Sequence, residues 1–134
     1  MNSARCLVLG GNGFIGSHVV EHLLKSGLGV RVFARSATLP TISTEGKDVE
    51  VIVGDFQDSE SVAKSVRGCD YVCHLISTTV PSTSNRNTVA DASSNLTTTL
   101  RLLEICVREN VRRVIFSSSG GTVYGNTGDY AIPE

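Results

Sequence analysis

Between Leu9 and Ser17 the chain reads LGGNGFIGS, four glycines in nine residues directly behind the apolar run RCLVL. Glycine inside a helix or strand is roughly 0.5–1 kcal/mol less favourable than alanine. A cluster of this density belongs where the chain turns tightly or where something must come close to the backbone. The next residues, FIGSHVVEHLLKSG, carry apolar side chains at helical spacing: Ile15, Val19 and Leu23, with Val20 and Leu24 beside them. Gly27 ends that helix. The glycines therefore join a short buried strand to a helix, and the rest of the fold has to be compatible with that junction.

The remaining chain repeats the alternation. GVRVFAR reads as a second strand, VEVIVGD as a third, CDYVCHLIS as a fourth and VRRVIFSSS as a fifth. Between the third and fourth lies the short helix DSESVAKSVRG, which Asp58 or Ser59 caps. Before the fifth comes a long helix over Val89 to Glu109, with Val89, Ala92, Leu96, Leu100, Leu103 and Val107 at steps of three and four. ATLPTISTEGKD and TTVPSTSNRNTV are polar loops. Strands this apolar, alternating with helices, predict a parallel sheet covered on both faces. Right-handed crossovers then give an α/β, doubly wound arrangement. Ligands of such sheets bind at the carboxyl ends of the strands, here after Leu9, Phe33, Val53 and Phe116.

A chain of 134 residues suffices for one domain with a real core. Hydrophobic residues at 40% and charged residues at 19% place it among globular proteins. A net charge of −1 offers no basic field for nucleic acid or an anionic membrane. No apolar run reaches the ~20 residues of a membrane span, and the amino-terminal stretch is unlike a secretory leader. The cytoplasm is the expected compartment. Cys6, Cys69, Cys73 and Cys106 sit in or beside apolar stretches and are expected to pack as small hydrophobes. Neither Cys69, Cys73 and His74 nor the i, i+4 pair His18 and His22 makes a metal motif, so no metal site is expected. Asn95, in NLT, matches a glycosylation acceptor with nothing else to support it.

The glycine junction satisfies two spacings, Gly11-x-Gly13-x-x-Gly16 and Gly10-x-x-Gly13-x-x-Gly16. Gly10 can take the angles of a tight turn, Gly13 leaves room for phosphates, and Gly16 lets the helix pack closely on the strand. The helix N-terminus supplies unpaired N–H groups and about half a positive charge, so a pyrophosphate can be held without a lysine.

GGNGFIG, GDF, HLIS and FSSSGGTVYG, in this order, resemble the extended short-chain dehydrogenase/reductases, the NAD-dependent epimerase/dehydratase family. The resemblance spans essentially the whole chain and implies an NAD(P)-binding Rossmann fold. It implies an enzyme that acts on a nucleotide-linked sugar, oxidising a ring hydroxyl with NAD(P) and resolving the resulting ketone. Carried over residue by residue, Gly10, Gly13, Phe14, Ile15 and Gly16 match the phosphate-binding turn. Asp55 and Phe56 match the adenine-contacting positions. Leu75, Ile76 and Ser77 match the stretch along the cofactor's ribose and nicotinamide side, where the family usually has two alanines in place of Ile76 and Ser77. Asp55 simply ending a strand, and Ile76 as plain core, are the competing readings.

The end of the second strand bears on the choice of cofactor. An acidic residue there holds the ribose hydroxyls of NAD, and an arginine nearby favours the 2′-phosphate of NADP. In VFARS, Ala34 takes the acidic position and Arg35 comes next, which tilts the expectation from NAD to NADP. Stacking of Arg35 on the adenine is the alternative.

The family's hydroxyl after the fifth strand matches Ser119, with Thr122 as the alternative. Its catalytic pair, Tyr-x-x-x-Lys, is not present: Tyr71, Tyr124 and Tyr130 are followed four residues on by Leu75, Gly128 and Glu134. The expectation is one domain over 1–134, the amino-terminal cofactor-binding part of a longer enzyme, inactive by itself. An NADPH-dependent carbonyl reductase and a non-catalytic NAD(P)-sensing module are the alternatives. Homodimerisation through the long helix is expected of the full-length protein.

Overall fold

The structure is a computed structural model that describes residues 4–39, 46, 48–78, 86–119 and 128. Thr122, Tyr124 and Tyr130 lie outside the described residues. Five parallel strands form one sheet: β1 (Arg5–Leu9), β2 (Gly29–Ala34), β3 (Val49–Val53), β4 (Tyr71–His74) and β5 (Arg113–Phe116), in the order β3-β2-β1-β4-β5. The chain moves outward from β1 through β2 to β3, then returns to the other side of β1 for β4 and β5. Adjacent connections thus depart in opposite directions from the β1/β4 boundary, the place where such sheets leave a crevice. The expected doubly wound parallel sheet is the observed one.

Helix α1 (Phe14–Lys25) covers one face, packing Val20 and Leu24 on Cys6, Val8, Val30, Val32 and Cys73. On the other face lie α2 (Ser59–Val66) and a long helical run composed of α3 (Thr88–Asp91), a π-helical segment (Ala92–Thr97) and α4 (Thr98–Arg108). There Val62, Val66, Leu102, Ile105 and Cys106 close over Leu7, Leu9, Phe33 and Val72. All four cysteines are buried free thiols, and burial pushes Cys106 up to about 11. Asp58 caps α2 by accepting from the Glu60 N–H.

The long helix departs from its expected form. The periodic residues Leu96, Leu100, Leu103 and Val107 face outward, while Leu102, Ile105 and Cys106 form the buried stripe. Two apolar stripes run along one helix, and the more regular of them is the uncovered one. The π-helical segment reflects its composition, ASSNLT. Thr98 Oγ1 donates to the Ser94 carbonyl at 2.6 Å and Thr97 Oγ1 to that of Ala92 at 3.3 Å. Hydroxyls that claim backbone acceptors in this way loosen the normal helical ladder. In α1 the buried residues are Gly16, Val20 and Leu24, so Ile15 lies outside the core stripe despite its helical spacing.

The amino-terminal rim of the sheet is tied by charge. Arg31 donates from Nε to Glu50 at 2.7 Å and from Nη1 to the Ser65 and Arg67 carbonyls at 2.8 and 2.6 Å. This joins β2, β3 and the end of α2, while the opposite rim remains available for ligands.

Leu102 is fully buried and Leu103 is 40% exposed on the adjacent helix position. Leu102→Ala is expected to cost about 3 kcal/mol and Leu103→Ala less than about 1 kcal/mol, read as the shift in urea unfolding midpoint.

Candidate functional site

The site begins where β1 ends. Gly10 has φ +81°, a conformation that side chains rarely adopt, and its N–H donates to the Phe33 carbonyl of β2 at 2.9 Å. On its other side the Leu75 N–H donates to the Leu9 carbonyl at 3.1 Å. The turn is thus held by the ends of β2 and β4 together. A Cβ on Gly10 would lie 3.2 Å from Ile76 Cγ1, so the glycine turn and the Leu75–Ile76–Ser77 stretch are in contact.

The glycines serve different constraints. A Cβ on Gly16 would collide with the Gly10 carbonyl oxygen and lie 2.8 Å from Gly11 Cα. A Cβ on Gly11 would press into Val32 at 2.9 Å. Gly13 is unlike both: its φ is −79°, and a Cβ there would meet only the Gly10 carbonyl at 3.4 Å. Packing therefore demands glycine at 16 and 11, whereas the fold leaves Gly13 room on the outer side of the turn. Gly13 caps α1 with no side-chain hydrogen bond to the first-turn N–H groups. Those donors, with the dipole behind them, face the opening at the strand ends and suit an anion. Phe14 and Ile15, 84% and 61% exposed, flank it.

Around this centre the other sequence-predicted residues take their places. Arg35 is exposed just past β2, and its neighbour Ser36 accepts from Asn12 Nδ2 of the glycine turn at 3.3 Å. Asp55 is exposed past β3 and accepts from the Gln57 N–H at 2.9 Å, so it closes a local turn. Phe56 is buried beneath it. The structure thus sustains both readings of Asp55, since a turn carboxylate retains a second oxygen. Leu75 and Ile76 are half-buried and Ser77 is exposed. The Ser117 N–H donates to the His74 carbonyl at 3.2 Å, so the run that ends at exposed Ser119 leaves the sheet beside β4. The chain therefore gathers the glycine turn, Arg35, the 75–77 stretch and Ser119 along one edge of the sheet.

Five further residues belong to this edge, and none of them was assigned to it from the sequence. Buried His74 pairs with half-buried Thr99, Nε2 to Oγ1, at 3.0 Å. Thr78 donates from its N–H to Asn95 Oδ1 at 2.9 Å, and Asn95 Nδ2 donates to Asp91 Oδ1 at 2.7 Å. The one usable signal was a polar residue closing an apolar strand, which marks His74, because the other four strands end on Leu9, Ala34, Val53 and Phe116. Asn95 stood in the sequence only as a glycosylation match. Among the described residues no group of three or more His, Cys, Asp or Glu gathers as a metal site, and no helix is long and apolar enough to cross a membrane.

Comparison with known proteins agrees with this geometry. The profile of the NAD dependent epimerase/dehydratase family matches residues 6–134. The UDP-glucose 4-epimerase of Caenorhabditis elegans is 33% identical, over 96% of this chain and 41% of its own length. The human sterol-4-alpha-carboxylate 3-dehydrogenase, decarboxylating, is 29% identical, over 90% of this chain and 30% of its own. The structure of Thermus thermophilus UDP-glucose 4-epimerase in complex with NAD superposes with a TM-score of 0.80 at 35% identity, over 97% of this chain and 42% of that one. The chain thus spans well under half the length of these relatives.

Gly16→Ala is expected to destabilise the protein by about 2–3 kcal/mol, because the clash outweighs the ~1 kcal/mol that alanine gains in a helix. Gly13→Ala should stay within about 1 kcal/mol of wild type, both measured by urea unfolding. His74 offers a pH test. Burial lowers its pKa, so the unfolded chain takes up the proton first. Stability that is full well above the unfolded value, about 6.5, should fall as the pH drops through that value. His74→Phe should flatten that part of the thermal-melting profile.

Proposed function

The chain belongs to the NAD dependent epimerase/dehydratase family, and from that premise we propose that it is the dinucleotide-binding part of an NAD(P)-dependent enzyme that epimerises or dehydrates a nucleotide-linked sugar. The observation that carries this reading is the α1 N-terminus under Gly13. Its first-turn donors receive no side-chain cap, and the fold itself leaves room at Gly13. Names of relatives such as UDP-glucose 4-epimerase supply the substrate class.

In this reading the first-turn N–H groups of α1 hold the pyrophosphate, helped by the helix dipole. Phe14 and Ile15 shield it from water. Asp55 accepts from the adenine's amino group beside the Phe56 ring. Arg35, with Ser36 next to it, takes the ribose 2′-phosphate through a charge-assisted contact, which favours NADP over NAD. The 75–77 stretch runs along the nicotinamide side, and Ser119 orients the substrate hydroxyl. When bound, the dinucleotide supplies a hydride acceptor and donor at its nicotinamide ring. Proton transfer falls to the family's Tyr–Lys pair, which these 134 residues do not contain, so the chain alone is expected to be inactive. A domain of this kind within a longer enzyme fits the share of its relatives that it covers. The outward stripe of Leu96, Leu100, Leu103 and Val107 is the surface on which a homodimer would form.

A reductive use of NADPH on a carbonyl substrate is the second reading. Arg35, through its preference for a 2′-phosphate, favours it. In an enzyme that includes the Tyr–Lys pair, sugar interconversion without net NADPH consumption supports the first reading. Stoichiometric oxidation of NADPH supports the second, and binding without turnover marks a sensing module.

Isothermal titration of the chain with NADP+ and NAD+ is expected to show tighter binding of NADP+. Gly13→Ala should weaken both at least about tenfold with little change in stability. Arg35→Ala should weaken NADP+ alone, by roughly tenfold or more. A folded wild-type chain that binds neither would overturn the dinucleotide reading, and an NAD+ preference would remove only the NADP assignment.

A further inference from the structure

One row of the sheet crosses all five strands through Ile52, Phe33, Leu9, His74 and Phe116. Every member is apolar except His74, which is 2% exposed. Its ring lies between Phe56 and Phe116, with centroids 5.0 and 5.2 Å away. Burying an imidazole here costs desolvation that a leucine or phenylalanine would avoid. The two ring nitrogens show what the imidazole provides in return.

Nδ1 lies 3.3 Å from the Ile76 backbone nitrogen and Nε2 lies 3.0 Å from Thr99 Oγ1. The backbone N–H can only donate, so Nδ1 is the unprotonated acceptor. Nε2 then carries the hydrogen and donates to Thr99 on α4. Burial, which disfavours the charged ring, acts in the same direction. Ile76 lies two residues past the end of β4, and its N–H is taken up by this side chain. A second pin lies two residues further on, where Thr78 binds Asn95 in the π-helical segment. The stretch that the pins hold, 75–77, touches the glycine turn through Ile76.

We propose that His74 is a positioning residue for the nicotinamide end of the dinucleotide: its Nδ1 holds the 75–77 backbone in register with the glycine turn, and Thr99 fixes the tautomer that leaves Nδ1 free to accept. This rests on the dinucleotide reading above. Two pins to one helical run make that stretch an extension of the helix face rather than a loose strand end. The phosphates at α1 and Arg35 make no contact with the His74 ring, and on the adenine side the ring meets only Phe56, an aromatic contact that His74→Phe retains.

The test separates the two ends of the cofactor. Binding of NADP+ and NAD+ is compared with that of 2′-phospho-ADP-ribose and ADP-ribose, which lack the nicotinamide. His74→Phe fills the aromatic cluster and removes the acceptor. His74→Asn keeps a side-chain oxygen for the N–H two residues on, as Asp55 does for Gln57. His74→Phe is expected to weaken both full dinucleotides roughly tenfold and both truncated ones by less than about twofold. His74→Asn should recover most of the loss. Ring nitrogen-15 NMR of the wild-type chain should show the neutral Nε2–H tautomer at neutral pH, and Thr99→Val should mix the two tautomers.

Equal loss for full and truncated ligands, no loss for either, or no recovery with His74→Asn overturns the positioning role while the dinucleotide reading stands. An Nδ1–H tautomer or a charged ring in the wild-type spectrum overturns it whether or not the variants fold. Failure of the wild-type chain to bind any of the four ligands defeats the dinucleotide reading, and this proposal with it.

Discussion

The contact between Gly16 and the Gly10 carbonyl oxygen sets the distance between α1 and the sheet, and the other features of the site depend on that distance. With no side chain between them, the helix starts almost on top of the end of β1. Its first-turn donors therefore stand at the mouth of the sheet rather than above its face. Gly11 against Val32 and Gly10 in its left-handed turn belong to the same constraint, since each lets the backbone pass where a side chain would block it. Gly13 is then free of packing demands. Three glycines build the junction, and the fourth keeps space beside it.

The sheet order gives that junction its neighbours. Because the chain leaves β1 for β2 and later returns on the other side for β4, the ends of both strands hold Gly10 between them. Arg35 and Ser36 arrive from one side, and the 75–77 stretch arrives from the other. The binding edge is thus assembled from segments far apart in sequence, at the opposite end of the strands from the Arg31 charge network. Stability at one rim and ligand access at the other are separate tasks in this fold, and separate residues carry them.

The two apolar stripes of the long helical run show where periodicity misleads. Leu96, Leu100, Leu103 and Val107 have the more regular spacing, yet the core takes Leu102, Ile105 and Cys106. The π-helical segment rotates α4 relative to α3, so one continuous period cannot describe both halves. Asn95 and Ser94 lie in that segment, and their side chains reach back to Thr78. A local departure from helical geometry, caused by hydroxyl and amide groups, thereby reaches the binding edge.

Much of this was legible in the residues. The strand–helix alternation, the parallel sheet and the glycine junction all arise from short-range pattern, because apolar run length and glycine placement act within a few residues. Asp58 as a cap is equally local. The cysteines as core residues could be inferred from their apolar surroundings. The features that only the tertiary structure decided depend on contacts between distant segments. No spacing rule predicts that His74 shares its nitrogens between Ile76 and Thr99, or that Arg31 ties β3 to the end of α2, because those partners meet only after the sheet has ordered its strands. The sequence by itself determined the type of fold and the place of the glycine junction. The assembled sheet decided which side chains surround that place and which face of the long helix is buried, because both depend on which surfaces are already covered.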